Sequence, residues 1–391
     1  MNLKVKNMFQ YVYAIYMFDF VLVACSNLQS EIANLFHTSI HVITVVGMVG
    51  IIIQKNIFCS VKKIIKLSVI ALLLLVNFKL SGTDYFLIAF LFIVASEGQD
   101  FRKLIDITLQ TVIIAGLFVI GLKSLGIIED VVINGARHSL GFYHPNMLGA
   151  LAIEIICLWG AKRYDKFKVY DGIGMALFAY MINYFTKNKS CLGATAVLIV
   201  CVFLFKFRKT ANRTTKVAKW ISKTIVPLCC TISIVGCYLY AGKGLLLWMN
   251  RILTNRFLYG NLFLKKYPIS LLGQRVLITS TQSTELNDIP AQPLDNAYVN
   301  ILIINGAVIF FLFCLFYHKT IQKLFEEKKY SLVIASCVYV VYGILETYAY
   351  RYGFNFTILA FSMLLSSRPK MEKSYAYNKL IIRRKEPKAE I

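Results

Sequence analysis

The chain reads as an all-α polytopic membrane protein, and three observations predict that class. Hydrophobic residues make up 58% of its 391 positions, against roughly 45–50% apolar in ordinary soluble domains. Charged residues make up only 16%, where a soluble composition carries roughly 25%. Lys and Arg number 43 against 20 Asp and Glu, the excess produced when cations gather at one edge of membrane spans. Nucleic-acid binding is another source of such a charge balance. The apolar content argues against it, so membrane lipids and no nucleic acid are the expected surroundings. Residues 1–391 read as a single integral membrane domain.

A helix needs about 20 apolar residues to cross the hydrocarbon core. By that measure about twelve transmembrane helices are expected, near 8–28, 35–54, 64–80, 83–98, 105–125, 145–161, 170–186, 191–206, 220–240, 298–317, 331–348 and 353–367. The N-terminus lacks the small-residue cleavage site of a signal peptide, so Met8 onward reads as a retained first span. Ser, Asp or Gly trims the apolar cores of the fourth and twelfth spans. Most of the ten cysteines lie in apolar runs without a CxxC pair, as small hydrophobes rather than metal ligands.

Charge sets the orientation. Lys4 and Lys6 precede the first span; Lys55, Lys62, Lys63 and Lys66 follow the second. Arg102 and Lys103 follow the fourth, and Lys162, Arg163, Lys166 and Lys168 the sixth. The 206–223 and 319–329 connections and a basic tail, 368–391, complete one side. The positive-inside rule then places both termini in the cytoplasm of a multi-pass cell-membrane protein.

Two connections on the opposite side stand apart. One covers 128–144. The other, 241–297, is a long extracytoplasmic loop before the tenth span, far beyond a simple turn. Within it, Leu246, Trp248, Ile252, Leu253, Phe257 and Leu258 alternate with Arg251, Arg256, Lys265 and Lys266. That mixture predicts a helix lying in the membrane–water interface. Arg137, Lys187, Lys189, Arg251, Arg256, Lys265, Lys266 and Arg275 also fall on this side, which the positive-inside rule disfavours. An Arg fork or a Lys point charge fits phosphate oxygens, so a lipid-linked diphosphate is one expected ligand. Contact with headgroups or water is the simpler reading for any single one.

Two strings carry further detail. In Arg137-His-Ser-Leu-Gly-Phe-Tyr-His-Pro-Asn146, Pro145 suits the first turn of a helix. His144 and Asn146 then stand at the lip of the sixth span, with Glu154 two turns deeper. An intramembrane carboxylate marks function by default, and the other reading of Glu154, the favoured one, is a hydrogen-bonded brace of the bundle. In Pro293-Leu-Asp-Asn-Ala-Tyr298, Asp295 sits beside Asn296 and Tyr298 where the tenth span begins. It reads either as a helix cap or as a general base taking a proton from an attacking hydroxyl. Asp19 and Glu346 lie near spans as candidate buried polar contacts. His37 and His41 share a helix face without a third metal ligand, and no glycine-rich nucleotide motif occurs. No metal and no cofactor is therefore expected.

The strings RHSLGFYHPNMLG, TKNKSCLGA, NRFLYGN…ISLLGQ and LDNAYVNILIINGAV resemble, in that order, segments of the O-antigen polymerase and ligase superfamily. The chain is most similar to Wzy-type polymerases of capsule and exopolysaccharide systems. The resemblance implies a GT-C-like membrane glycosyltransferase, independent of metal, that joins undecaprenyl-diphosphate-linked oligosaccharide repeat units with inversion. It implies undecaprenyl-diphosphate-linked glycans as substrates, and a flippase and a chain-length regulator as partners. A His-Asn pair of related ligases is Asp295-Asn296 here, which would make Asp295 the base. A Ser-Arg pair of the family is replaced by Asn188-Lys189-Ser190, so Lys189 would take the cation's place. Arg137, Lys189 and Arg256 would hold the diphosphate, with His144, Asn146, Asn296 and Tyr298 as further substrate contacts. Two alternatives stay open: a lipid-linked oligosaccharide flippase, and a ligase moving finished chains. The first would show its cations deep in a central cavity and a duplicated six-span half.

Overall fold

A computed structural model describes residues 3–28, 30–55, 60–206, 211–279 and 292–365. The described chain is helical apart from one short hairpin. In order, its helices are α1 (Leu3–Asp19), α2 (Glu31–Gln54), α3 (Val61–Ser81), α4 (Tyr85–Ala95), α5 (Phe101–Ser124), α6 (Pro145–Arg163) and α7 (Val169–Thr186). There follow α8 (Lys189–Lys206), α9 (Ala211–Tyr238), α10 (Gly244–Ile252), α11 (Arg256–Lys266), α12 (Ala297–Asn300), α13 (Gly306–Glu326) and α14 (Tyr330–Tyr342). Wider π turns at Phe20–Ala24 and Ile301–Asn305 extend α1 and join α12 to α13. Two 3-10 segments, Thr347–Tyr350 and Phe356–Leu364, close the described chain.

Seven of these helical stretches are long and apolar enough to cross a membrane: Asn7–Ala24, Glu31–Gln54, Val61–Ser81, Phe101–Ser124, Lys189–Lys206, Lys216–Tyr238 and Ala297–Glu326. This is a membrane-embedded helical bundle. Every one of the expected spans falls on helix, but the remaining five do not meet that measure. α4 and α14 are apolar and short. The last expected span is the nine-residue 3-10 segment Phe356–Leu364. α6 and α7 are long enough, yet polar and small residues dilute them. The surroundings of α6 explain why that is tolerated there: Leu148, Ala150, Leu151, Ala152, Ile153 and Ile156 are all buried. A helix packed on all sides by protein does not need a wholly lipid-compatible surface.

Glu154 lies at 0% exposure in this core. It accepts hydrogen bonds from the Tyr339 hydroxyl of α14 and from the Phe356 N–H at 3.2 Å. One carboxylate thus ties α6 to α14 and to the first turn of the 3-10 segment, the bracing role among its two readings.

The 241–297 connection is described except for 280–291, and the 368–391 tail lies outside the described residues. The single interfacial helix expected here is instead two. Thr254 and Asn255 adopt left-handed backbone, with φ of 50° and 67°, and break α10 from α11. Buried Asn250 supports the corner, its Oδ1 accepting from the Phe257 and Leu258 N–H groups at 3.1 and 3.0 Å. α10 keeps the interfacial character, with Leu245, Trp248 and Ile252 exposed. α11 turns inward and buries Arg256, Phe257 and Phe263. Beyond α11 the chain is stitched to the π turn, where Gln274 N–H donates to the Ile304 carbonyl at 2.9 Å and Ala307 N–H to that of Ser270 at 2.9 Å.

Candidate functional site

At the end of the bundle where α6, α8, α11 and α12 begin, the chain forms an open cavity of about 510 Å³. Its wall includes Arg137, His144, Asn146, Lys189, Arg256 and Asp295, six of the eight candidate residues. Each arrives from a different local device.

Arg137 is carried by a hairpin in which β1 (Val132–Ile133) pairs antiparallel with β2 (Arg137–His138). Asp130 organises it, accepting from Leu140 N–H at 2.8 Å and pairing with His138 Nδ1 at 3.0 Å. Burial works against its charge, but His138, the Leu140 N–H and Lys123 hold the Asp130 carboxyl below its usual range. Gly141 has φ +93°, and a Cβ there would meet Lys123 Cβ at 2.9 Å. Only glycine lets this segment lie so close to the end of α5. Arg137 then donates from Nε to the Thr186 carbonyl at 3.0 Å and from Nη2 to Asn146 Oδ1 at 2.6 Å.

His144 caps α6, its Nδ1 accepting from Asn146 N–H at 3.0 Å, with Pro145 in the first turn. Burial, and then Arg137, push its imidazole down to about 4, so it serves as an uncharged acceptor. Lys187, in left-handed backbone, ends α7, and Lys189 starts α8. Between them Asn188 is buried with its side chain directly against Gly149 of α6, and its Oδ1 caps the Cys191 N–H at 3.2 Å. Both lysines are left exposed along the cavity wall.

Arg256 departs from its expected role. It is only 9% exposed and its donors are taken. Nε donates to the Leu345 carbonyl at 2.7 Å, Nη1 meets Asp295 Oδ2 at 3.0 Å, and Nη2 meets Glu346 Oε1 at 3.0 Å. Burial opposes its charge, but Asp295 and Glu346 outweigh that and hold the guanidinium above its usual range. Arg256 is therefore the organiser of a carboxylate pair rather than an open cation. Glu346, buried at 2%, also accepts from Ser190 Oγ at 3.2 Å, which ties α8 to the same centre.

The choice between cap and base for Asp295 is decided in part by its neighbour. Asn296, not Asp295, caps α12, its Oδ1 accepting from Tyr298 and Val299 N–H groups at 3.1 Å each. Asn296 and Leu294 are buried on either side, so the backbone of Asp295 is fixed while its side chain stays 27% exposed to the cavity. Asn296 and Tyr298 do not line the cavity. Tyr298 is buried and donates its hydroxyl to the Val340 carbonyl at 2.6 Å, which corrects the expectation that both contact substrate: helix capping and packing absorb them.

Three charged cavity residues lie outside those eight candidates: Lys187, Glu346 and Arg351. Glu346 carries the signal of a carboxylate near a span, and Arg351 carries none, because nothing in its local sequence separates it from a loop cation. Arg351 lines the cavity with its guanidinium 4.8 Å from the Tyr85 ring centroid and 5.4 Å from that of Tyr348. Among the described residues no carboxylate lies within ion-pair distance of Arg137, Lys187, Lys189 or Arg351.

Elsewhere, His37 Nδ1 meets the buried Asp19 at 2.6 Å and stands 5.0 Å from the ring of His41. Among the described residues no group of three His, Cys, Asp or Glu side chains is arranged to hold a metal ion. The cavity thus combines one half-buried, ion-paired carboxylate with four cations lacking acidic partners, a composition suited to an anionic ligand and a proton transfer beside it. Comparison with known proteins gives no match to this chain among family models, curated proteins or solved structures.

Proposed function

We propose that this chain is a membrane glycosyltransferase of the Wzy type, joining undecaprenyl-diphosphate-linked repeat units into a capsular or exopolysaccharide. In this reading twelve helical segments cross or enter the bilayer in a GT-C-like arrangement, with both termini cytoplasmic and the cavity at the outer face. One observation carries it: Asp295 shares an open cavity with Arg137, Lys187 and Lys189, whose charges no described carboxylate neutralises.

An acceptor sugar hydroxyl approaches the donor's anomeric carbon from the Asp295 side. The new O–C bond forms as the bond from that carbon to the diphosphate oxygen breaks, with inversion. The hydroxyl proton passes to Asp295, and undecaprenyl diphosphate leaves with the bonding pair. Arg137, Lys187 and Lys189 stand where the leaving charge grows, and charges set in advance at that place are usually the largest contribution to rate. Arg256 holds Asp295 in position and keeps Glu346 as a second counter-ion when Asp295 accepts the proton. No metal is needed for this charge balance.

Dense packing beneath the cavity supports reaction over passage. Tyr13, Tyr339, Tyr342 and Phe356 are fully buried there, where a flippase would need a polar route. The test is Asp295→Asn in cells supplying the matching lipid-linked unit. Long chains should disappear while single units still reach the outer face. Normal chain length at normal protein level would overturn the assignment.

A further inference from the structure

A second hollow lies beside the polar cavity and is used by nothing above. It is a narrow open crevice, with about 90 Å³ of free space, between α3, α4, α13 and the Phe356–Leu364 segment, walled by residues such as Leu74, Ala89, Ile93, Leu312 and Phe361. No charged side chain lines it. Ile309 and Phe316 mark its extent on α13, and seven residues of helix rise about 10 Å. The crevice therefore runs along the bundle as a slot rather than a round hole.

Its upper end is joined to the polar cavity by two pairs of neighbouring residues. Tyr350 walls the crevice while Arg351 walls the cavity. Phe86 walls the crevice while Tyr85 lies against the Arg351 guanidinium. The Phe86 and Tyr350 rings stack at 5.7 Å and 8°, and the Tyr350 hydroxyl donates to Asn300, another cavity residue, at 2.9 Å. Arg351 is thus the cation nearest the head of the slot in sequence and in packing. Its Nε is buried without a hydrogen-bond partner, and its guanidinium faces aromatic rings instead of a carboxylate. A buried donor left unmatched is costly, and an anionic oxygen supplied by a ligand would remove that cost.

We infer that the crevice seats one hydrocarbon chain of a polyprenyl diphosphate whose head is held by Arg351 at the edge of the polar cavity. The inference rests on the proposed function for the identity of the lipid and adds where its chain and head lie. It assigns Arg351 a separate place from the Arg137–Lys187–Lys189 group. An ordinary phospholipid offers a similar tail but a monophosphate diester, which has fewer anionic oxygens to meet a planar guanidinium.

Direct binding to the purified full-length protein in detergent tests this, with farnesyl diphosphate, inorganic diphosphate and phosphatidylglycerol as probes. Farnesyl diphosphate should bind more tightly than inorganic diphosphate. Arg351→Gln should weaken farnesyl diphosphate at least about tenfold, the loss of charge-assisted hydrogen bonds, and Arg351→Lys should restore part of it. Ala89→Phe and Leu312→Phe, two independent ways of narrowing the slot, should weaken farnesyl diphosphate about tenfold through lost apolar burial and leave inorganic diphosphate unchanged. Unchanged farnesyl diphosphate binding in both narrowed variants would overturn the crevice, and unchanged binding in Arg351→Gln would overturn the head contact. Equal displacement by phosphatidylglycerol would overturn the polyprenyl assignment. Because these readouts need no acceptor and no turnover, their failure is distinct from normal polymerisation by Asp295→Asn, which strikes only the proposed function.

Discussion

Glu154 and Glu346 are both carboxylates buried to 2% or less, yet the regions around them work in opposite ways. Glu154 sits in the helical core with neutral partners, the Tyr339 hydroxyl and the Phe356 N–H. Glu346 sits at the wall of the polar cavity, paired with Arg256, which also grips the more exposed Asp295. Burial alone does not mark a functional carboxylate. What separates the two is whether the partner is a charge and whether open polar space adjoins it. Neutral partners in a closed core make a brace; a shared cation beside a hollow makes a site whose charge balance a ligand can alter.

The largest effect that would sharpen this contrast comes from Arg256→Met. It strands Glu346 without its counter-ion, and breaking a buried pair in this way costs about 3–5 kcal/mol. Chemical or thermal unfolding in detergent should register that loss. Adding Glu346→Gln should recover most of it, and a double variant as unstable as the single one would break the charge-pair account. Next comes activity. Glu346→Gln should shorten the polymer by loosening Asp295, whereas Glu154→Gln should leave chain length intact. Glu154→Gln keeps one acceptor oxygen and loses the other, a cost of about 1–3 kcal/mol, visible in the melting temperature only. If the core variant shortens the polymer and the cavity variant does not, the assignment of the two regions is reversed.

The last effect is pH-dependent and belongs to the lip of the cavity. The His144 imidazole is held down to about 4 from an ordinary 6.5. Between those values the unfolded chain takes up a proton that the folded chain refuses. Stability is therefore fully present above pH 6.5 and declines as the pH falls toward 4. His144→Asn, which keeps a capping oxygen and cannot titrate, should flatten melting temperature against pH over that window. A slope unchanged by the substitution would place the titration elsewhere.

Much of this was legible along the chain. Apolar runs gave helices at each expected span, because lipid or a packed interior demands the same side chains in either case. The Arg137–Asn146 and Pro293–Tyr298 strings led to the cavity, since Pro145, Asn296 and Gly141 are local backbone devices that act through nearest neighbours. Three matters were not legible there. The polarity of α6 hid how completely its neighbours enclose it. Asp295 and Asn296 compete for one cap, and which of them wins depends on where α12 begins. Arg256 reads as a loop cation until the fold brings Leu345 and Glu346 against it from 89 and 90 residues away.

The sequence by itself determined the solvent of this protein and the start of most of its helices, because hydrophobicity, proline and capping act within a turn or two. Only the tertiary structure decided which charges are spent on one another and which stay open. Arg137, Lys189, Arg256 and Arg351 are alike in composition. Coulomb attraction over a few ångströms, between groups that the chain brings together from distant helices, consumes Arg256 and leaves the other three facing the hollow.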